Sequence, residues 1–311
     1  MKKLFLCLKL IFAFFILAIL FYRIPFGQTL GVLENIPIAF LVAVFALSSL
    51  ANLLCACKLR FLIAIKDKGI KLLSVVRAYY VGIFFNNFMP TEVGGDVFKI
   101  GELKKENLQL QDVTAAVILE RITGAMALVI LALALSFFDR GIFEHLGIVS
   151  LRTKILGAAL LLATVFIMGY IFWRSFLKSF LEERKEMFIW GKIYNIIQAF
   201  YIYKDNLWVI ILALAFSLVF HLLGVANITI LAFSIEGAFS FFAMLMVVVV
   251  VRLVSMLPVS IGALGVREGM LIFCLTRVGL DAPSALALGI ILRANTYIHS
   301  AIGAVLYIFR K

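Results

Sequence analysis

Apolar residues in this chain do not alternate with polar ones; they come in long runs separated by short polar stretches. Six runs are long enough for full crossings, at about 4–22, 36–57, 112–137, 153–173, 207–232 and 284–309. A helix needs about 20 apolar residues to cross a hydrocarbon core about 30 Å thick, and a lipid-exposed strand edge would leave its backbone unpaired. Two more apolar stretches, 72–98 and 239–280, are interrupted by Pro90 and Pro258, by glycines and by charged side chains. Proline removes a backbone donor and stops a helix, so carbonyls freed at membrane depth need a protein-lined or watery cavity. Both stretches therefore predict broken or re-entrant helices. The whole predicts an all-α, polytopic transmembrane helical bundle, a single integral membrane domain spanning residues 1–311.

The order helix, helix, broken segment, helix occurs in residues 4–137 and again in 153–309. Three crossings per half is an odd number, so the second copy is expected to lie upside down relative to the first. Laying Pro90 on Pro258 places Gly94 on Gly262, Lys99 on Arg267 and Gly101 on Gly269, all at one offset. The expected halves are residues 1–140 and 150–311. Inverted repeats with broken helices are an architecture of secondary transporters, whose substrate site forms where the halves meet.

Composition agrees with lipid as the solvent. The chain is 64% hydrophobic and only 15% charged, against about a quarter charged in soluble domains, and its mean hydropathy is +1.13. The formal charge of +12 sits in short loops, where lysine and arginine set topology and meet anionic headgroups, so nucleic acid is not an expected partner. Lys58, Arg60, Lys66, Lys68 and Lys71 crowd the stretch after the second helix. By the positive-inside rule that stretch and the amino terminus are expected to be cytoplasmic, and so are residues 174–204 and the carboxyl terminus if both broken segments enter and leave on one side; the cations at Arg140, Arg152 and Lys154 pull the other way. Residues 1–22 lack a small-residue cleavage site and read as a retained first helix. Cys7, Cys55, Cys57 and Cys274 all lie in apolar runs and lack zinc or redox spacing, so they read as packing residues.

Candidate chemistry gathers in the breaks. The first reads from Asn86 and Asn87 through Pro90, Thr91, Glu92, Gly94, Gly95 and Asp96 to Lys99. Its paired glycines allow close backbone approach; their amides would hold an anion, with Lys99 as countercharge, or they merely form a loop with Asp96 capping the next turn. The second runs from Ser255 through Pro258, Gly262 and Gly265 to Arg267, Glu268 and Gly269. An arginine beside a glutamate there is costly unless each is paired or faces water. Either they form a structural ion pair at the membrane surface, or Arg267 meets phosphate oxygens, which a guanidinium matches bidentately.

Arg77, Glu120, Arg121, Arg252 and Arg293 also interrupt apolar runs. Glu120 and Arg121 point about 100° apart on a helix and need not pair with each other. Arg77 and Arg252, near run ends, are open to snorkelling or to function, whereas Arg293 lies too far inside its run to snorkel easily. His221 and His299 have no acid at helical spacing and read first as packing or hydrogen-bonded residues. No Walker loop, HExxH or cysteine–histidine cluster occurs, so neither metal nor cofactor is expected.

Asn87 through Lys99, Glu120-Arg121, and Leu257 through Glu268 together resemble the motifs of the lysylphosphatidylglycerol synthase transmembrane region, also called flippase-like domain proteins. The resemblance covers nearly the whole chain, with three separated motifs in the right order. In that family the first motif usually has arginine where this chain has Lys99, and glycine or asparagine is common at the position of Ala263; lysine keeps the charge but loses the bidentate fork. The best-known relatives add a cytoplasmic domain that transfers an aminoacyl group from tRNA to lipid. This chain runs two residues past its last predicted helix, and aminoacyl transfer is not expected of it.

What the resemblance implies is movement of a lipid across the cytoplasmic membrane: an anionic or phosphate-bearing amphiphile such as a phospholipid or polyprenyl-linked lipid. Lys99, Arg267 and Arg293 would meet the headgroup. Asp96, Glu120 and Glu268 would hold these cations when the site is empty, with Asn87 and Arg121 beside them. Pro90, Gly94, Gly95, Pro258, Gly262 and Gly265 would shape the backbone. Two other readings stay open. One is a membrane enzyme acting on lipid-linked sugars or phosphates through Glu92, Asp96 and Glu268. The other is a non-catalytic partner of a separate lipid synthase or glycosyltransferase.

Overall fold

The computed structural model describes residues 24–89, 94–138, 199–237, 239–256 and 263–309. Among these the regular structure is entirely helical: α1 (Phe26–Asn35), α2 (Ile38–Ile63), α3 (Leu72–Phe88), α4 (Gly94–Lys104), α5 (Leu110–Phe138), α6 (Leu207–Glu236), α7 (Phe241–Ser255), α8 (Val266–Val278) and α9 (Ala282–Ile308). Four of them, α2, α5, α6 and α9, are long and apolar enough to cross a membrane. At 26 residues and 1.5 Å per residue, α2 is about 39 Å long, more than the hydrocarbon thickness requires. The expected crossings at 4–22 and 153–173 lie outside the described residues, as do Pro90, Glu92, Pro258 and Gly262.

Local chemistry sets the helix ends. At the start of α9, Asp281 accepts the amide of Ser284, and Pro283 follows in the first turn, where its missing donor costs nothing. The turn after α2 closes on Asp67, whose carboxylate takes the Gly69 amide at 2.8 Å. One element departs from expectation: α1 occupies what reads as a loop between the first two crossings, and it packs against α9. Its ten residues mix Gln28, Thr29 and Asn35 with apolar positions, so its apolar content falls short of any spanning signal.

In each of the two stretches where a break is expected, one described helix ends and another begins, and the residues from 90 to 93 and from 257 to 262 lie outside the described residues. The first separates α3 from α4, and the second separates α7 from α8. They restart differently: Lys99 lies in the second turn of α4, while Arg267 is the second residue of α8.

The described chain forms two compact units. One contains the residues up to Leu54, Val76–Lys99 and those from Val219 onward; the other contains Cys55–Val75 and those from Ile100 to Leu218. In the first, α8 packs on both α7 and α9. There α3 and α9 approach so closely at Gly303 that a side-chain carbon would overlap the Tyr80 carbonyl, the small-residue contact expected of membrane helices. In the second, Leu59, Leu62, Leu103, Leu128 and Leu135 are fully buried. Cys55 and Cys274 are buried, in keeping with a packing role.

Candidate functional site

The first break is built on close backbone contact. A side-chain carbon on Gly95 would overlap the Gly82 carbonyl oxygen and the Asn86 side chain, and one on Gly94 would overlap Met89. The Gly95 amide donates to Asn86 Oδ1 at 2.7 Å. That amide is thus engaged by Asn86 at the start of α4. Nothing in the hydropathy pattern separates Asn86 from Asn87; only the fold shows which one turns back. The Asn87 Nδ2 is buried without a hydrogen-bond partner.

One turn into α4, Lys99 and Asp96 form an ion pair at 3.2 Å, with side chains 8% and 6% exposed. The Lys99 ammonium also stands 4.5 Å from the centre of the Tyr79 ring, a cation–π arrangement that gains strength where water is excluded. Phe98 stacks on Phe85 beside it.

In the second break, Ala263 adopts φ 53° and Gly265 φ 80°. A left-handed backbone disfavours any side chain other than that of glycine or asparagine. This gives a physical reason for glycine and asparagine being common at the position of Ala263 in the family the sequence resembles. Glu268 then performs two tasks. Its Oε2 accepts the Gly265 amide at 2.8 Å, capping α8. Its Oε1 accepts from Arg293 Nε at 2.7 Å and also from Arg293 Nη2.

Arg293 belongs to α9 and lies 6.0 Å from the Tyr297 ring. The partner of Glu268 is therefore a residue 25 positions away. Arg267, its neighbour in sequence, is half-buried in the first turn of α8.

Glu120 and Arg121 belong to the second unit. Glu120 is buried while Arg121 is exposed, as the 100° step between neighbours on a helix requires. The buried cation here is one that charge patterning assigns to a loop. Lys58 is 4% exposed, and its ammonium donates to the Glu120 carbonyl and to Ser217 Oγ, each at 3.0 Å. α2 continues to Ile63, so Lys58 and Arg60 belong to the helix and not to the loop cluster expected after it, and Arg60 donates to the Ile70 carbonyl at 3.1 Å. Nearby, the buried Tyr203 hydroxyl donates to the Leu62 carbonyl at 3.0 Å. Burial first, and the Asp112 carboxylate second, push that phenol above the ordinary tyrosine range.

The two arginines open to snorkelling both find protein partners. Arg77 donates to the Leu306 carbonyl at 2.9 Å. Arg252 meets His221 Nδ1 at 2.9 Å and lies over the Phe220 ring. Because guanidinium only donates, this His221 nitrogen is the acceptor. Gly224 makes room for the contact, since a side-chain carbon there would press on the Arg252 guanidinium.

Comparison with known proteins gives one family. The model described as "Lysylphosphatidylglycerol synthase TM region" matches residues 6–303. No curated protein matches the chain, and no solved structure does.

Proposed function

The chain belongs to the lysylphosphatidylglycerol synthase transmembrane-region family, and from that premise we propose that this multi-pass membrane protein is a lipid translocase of the cytoplasmic membrane. Its substrate on this reading is an anionic or phosphate-bearing amphiphile. One observation carries the proposal. Within one compact unit, each helix break is accompanied by a nearly buried cation already gripped by an acid: Lys99 by Asp96, and Arg293 by Glu268.

Charges in membrane helices are expensive and tend to mark substrate pathways. A cation held by an acid can pass to a phosphate without ever standing bare in a low-dielectric interior, which would cost several kcal/mol. On this reading Asp96 and Glu268 keep the cations ordered while the site is empty. Lys99, Arg293 and Arg267 turn to the headgroup when it enters, and Asn87 supplies a further donor. The lipid chains stay in the bilayer, and the half comprising residues 1–140 rocks against the inverted half, residues 150–311. A separate lipid synthase or glycosyltransferase would supply the substrate.

The test is a leaflet-resolved assay in proteoliposomes carrying a panel of fluorescent phospholipids and polyprenyl phosphates, with dithionite access as the readout. Loss of one charge-assisted contact, worth about 1.5–3 kcal/mol, should slow movement by about tenfold or more in Lys99→Ala and Arg267→Ala. A protein that inserts normally yet moves lipid at the wild-type rate after either substitution rules the assignment out. A change in the mass of the lipid would favour an enzyme instead.

A further inference from the structure

Arg77, Glu120, Arg121, Arg252 and Arg293 all interrupt apolar runs, and of these five Arg121 alone is exposed. It belongs to the second compact unit, whereas Lys99, Glu268 and Arg293 belong to the first. The packing of α5 fixes that exposure. Val113, Ala116, Glu120, Thr123 and Ala127 follow one another at steps of three and four residues and are at most 6% exposed, which is the buried stripe of a helix. Lys58 of α2 holds this side in place through the Glu120 carbonyl. Leu110, Thr114, Ile118 and Arg121 form a second stripe, again at steps of three and four. There Leu110 and Ile118 are 44% and 40% exposed. One turn beyond Arg121, a side-chain carbon on Gly124 would meet nothing within 4 Å.

The depth of Arg121 follows from the same helix. Residues 104–109 are mostly polar, and Gln111, Asp112 and Thr114 keep the start of α5 polar; from Ala115 onward the run is apolar apart from Glu120, Arg121, Thr123 and Ser136. Arg121 is six residues past Ala115, about 9 Å along the axis. Side chains on a helix lean toward its N-terminus, so an arginine here carries its guanidinium back toward the surface next to Leu110 while its stem lies on apolar neighbours. A cation on an exposed apolar face at this depth is costly, and drawing the bilayer surface toward it lowers the cost. What it draws is the headgroup phosphate, which a guanidinium matches bidentately. Five donors leave some for a phosphate even when others are engaged within the protein.

We propose that Arg121 binds the phosphate of a membrane phospholipid at the lipid-facing surface of α5, with Ile118 and the open space at Gly124 receiving the lipid below its headgroup. The site lies on the second unit and shares no residue with either break. In a translocase it gathers substrate from the leaflet; that role rests on the function proposed above, whereas the phospholipid site itself does not.

The test uses the whole protein with p-benzoylphenylalanine in place of Ile118, reconstituted in vesicles of digalactosyldiacylglycerol, which carries no phosphate. A trace of tritiated phosphatidylglycerol or of tritiated diacylglycerol is the probe, and covalent capture on illumination is the readout. Phosphatidylglycerol should be captured about fivefold more than diacylglycerol, the preference expected of one arginine at the headgroup layer. Arg121→Leu should abolish the preference, and so should Arg121→Gln, which serves if the leucine variant inserts poorly. Equal capture of the two lipids by the unsubstituted site overturns the proposal, and so does a preference that survives both substitutions. Capture of a second copy of the chain in place of lipid also overturns it, and gives Arg121 to an interface between copies.

Lipid movement in proteoliposomes then separates the site from its role. Should Arg121→Leu also raise the phosphatidylglycerol concentration giving half-maximal movement by about fivefold, both claims stand. An Arg121-dependent preference with unaltered movement keeps the site and overturns the gathering role. The same preference in a protein that moves no lipid keeps the site and counts against the translocase.

Discussion

The pair formed by Glu268 and Arg293 allows a quantitative test of how the second break is held. Glu268 accepts three hydrogen bonds, two from the guanidinium and one from the Gly265 amide, and both side chains are 12% exposed. Removing one member of a pair this buried takes the opposite charge away from the other and costs about 3–5 kcal/mol. Glu268→Ala should therefore cost about 4 kcal/mol, of which about 1 kcal/mol is the lost cap. Arg293→Met keeps the cap and should cost about 3 kcal/mol. The double variant carries no orphaned charge, so its cost should be about 4–5 kcal/mol in place of the additive 7, a coupling of about 2–3 kcal/mol. Equilibrium unfolding in mixed micelles, followed by circular dichroism, gives all three values. Additivity within about 0.5 kcal/mol would show that the pair contributes nothing as a pair, and would refute the account of the break as ion-pair supported.

Two backbone predictions accompany it. Ala263 has φ 53°, so Ala263→Gly should stabilise the protein by about 1 kcal/mol by relieving left-handed strain, read as a rise in the same unfolding midpoint. Gly95→Ala drives a carbon into the Gly82 carbonyl and the Asn86 side chain; it should destabilise by about 1–3 kcal/mol, and restored stability on adding Gly82→Ala would argue against backbone contact as the cause.

Four of the expected crossings, those among the described residues, were legible because lipid imposes a length and an apolar composition that few soluble helices meet. The ends of α3 and α7 fall next to Pro90 and Pro258 in the sequence, where a proline's missing backbone donor led a helix end to be expected. Pairings were another matter. Arg267 and Glu268 are neighbours in sequence, yet a helix turns them 100° apart, and Glu268 reaches α9 instead. A usable signal was present: a glutamate three residues after Gly265, the spacing at which an acidic side chain folds back onto the first amide of a helix. Lys58 misleads in the opposite direction. A lysine at the edge of an apolar run reads as loop, and only the carbonyl of Glu120 and the hydroxyl of Ser217, distant in sequence, explain its burial. The hydrogen bonds of Asn227 and Asn295 to Ser48 have no local signature at all, since the three residues lie on three helices.

The two breaks solve one electrostatic problem by different means, and the difference bears on how each would release a headgroup. In each, the glycine amide where the helix restarts is already capped, by Asn86 from the preceding helix in the first break and by Glu268 from the same helix in the second. Those two amides are engaged within the protein, and on the proposed function the headgroup is met by side-chain cations. When Arg293 turns away, Glu268 keeps the Gly265 amide as a partner and stays ordered. A Glu268→Gln protein, which keeps the cap and weakens the grip on Arg293, should therefore hold its fold better than Glu268→Ala while binding phosphate-bearing lipid at least as tightly as the wild type. Equal destabilisation by Gln and Ala would mean that the cap does not act independently of the ion pair.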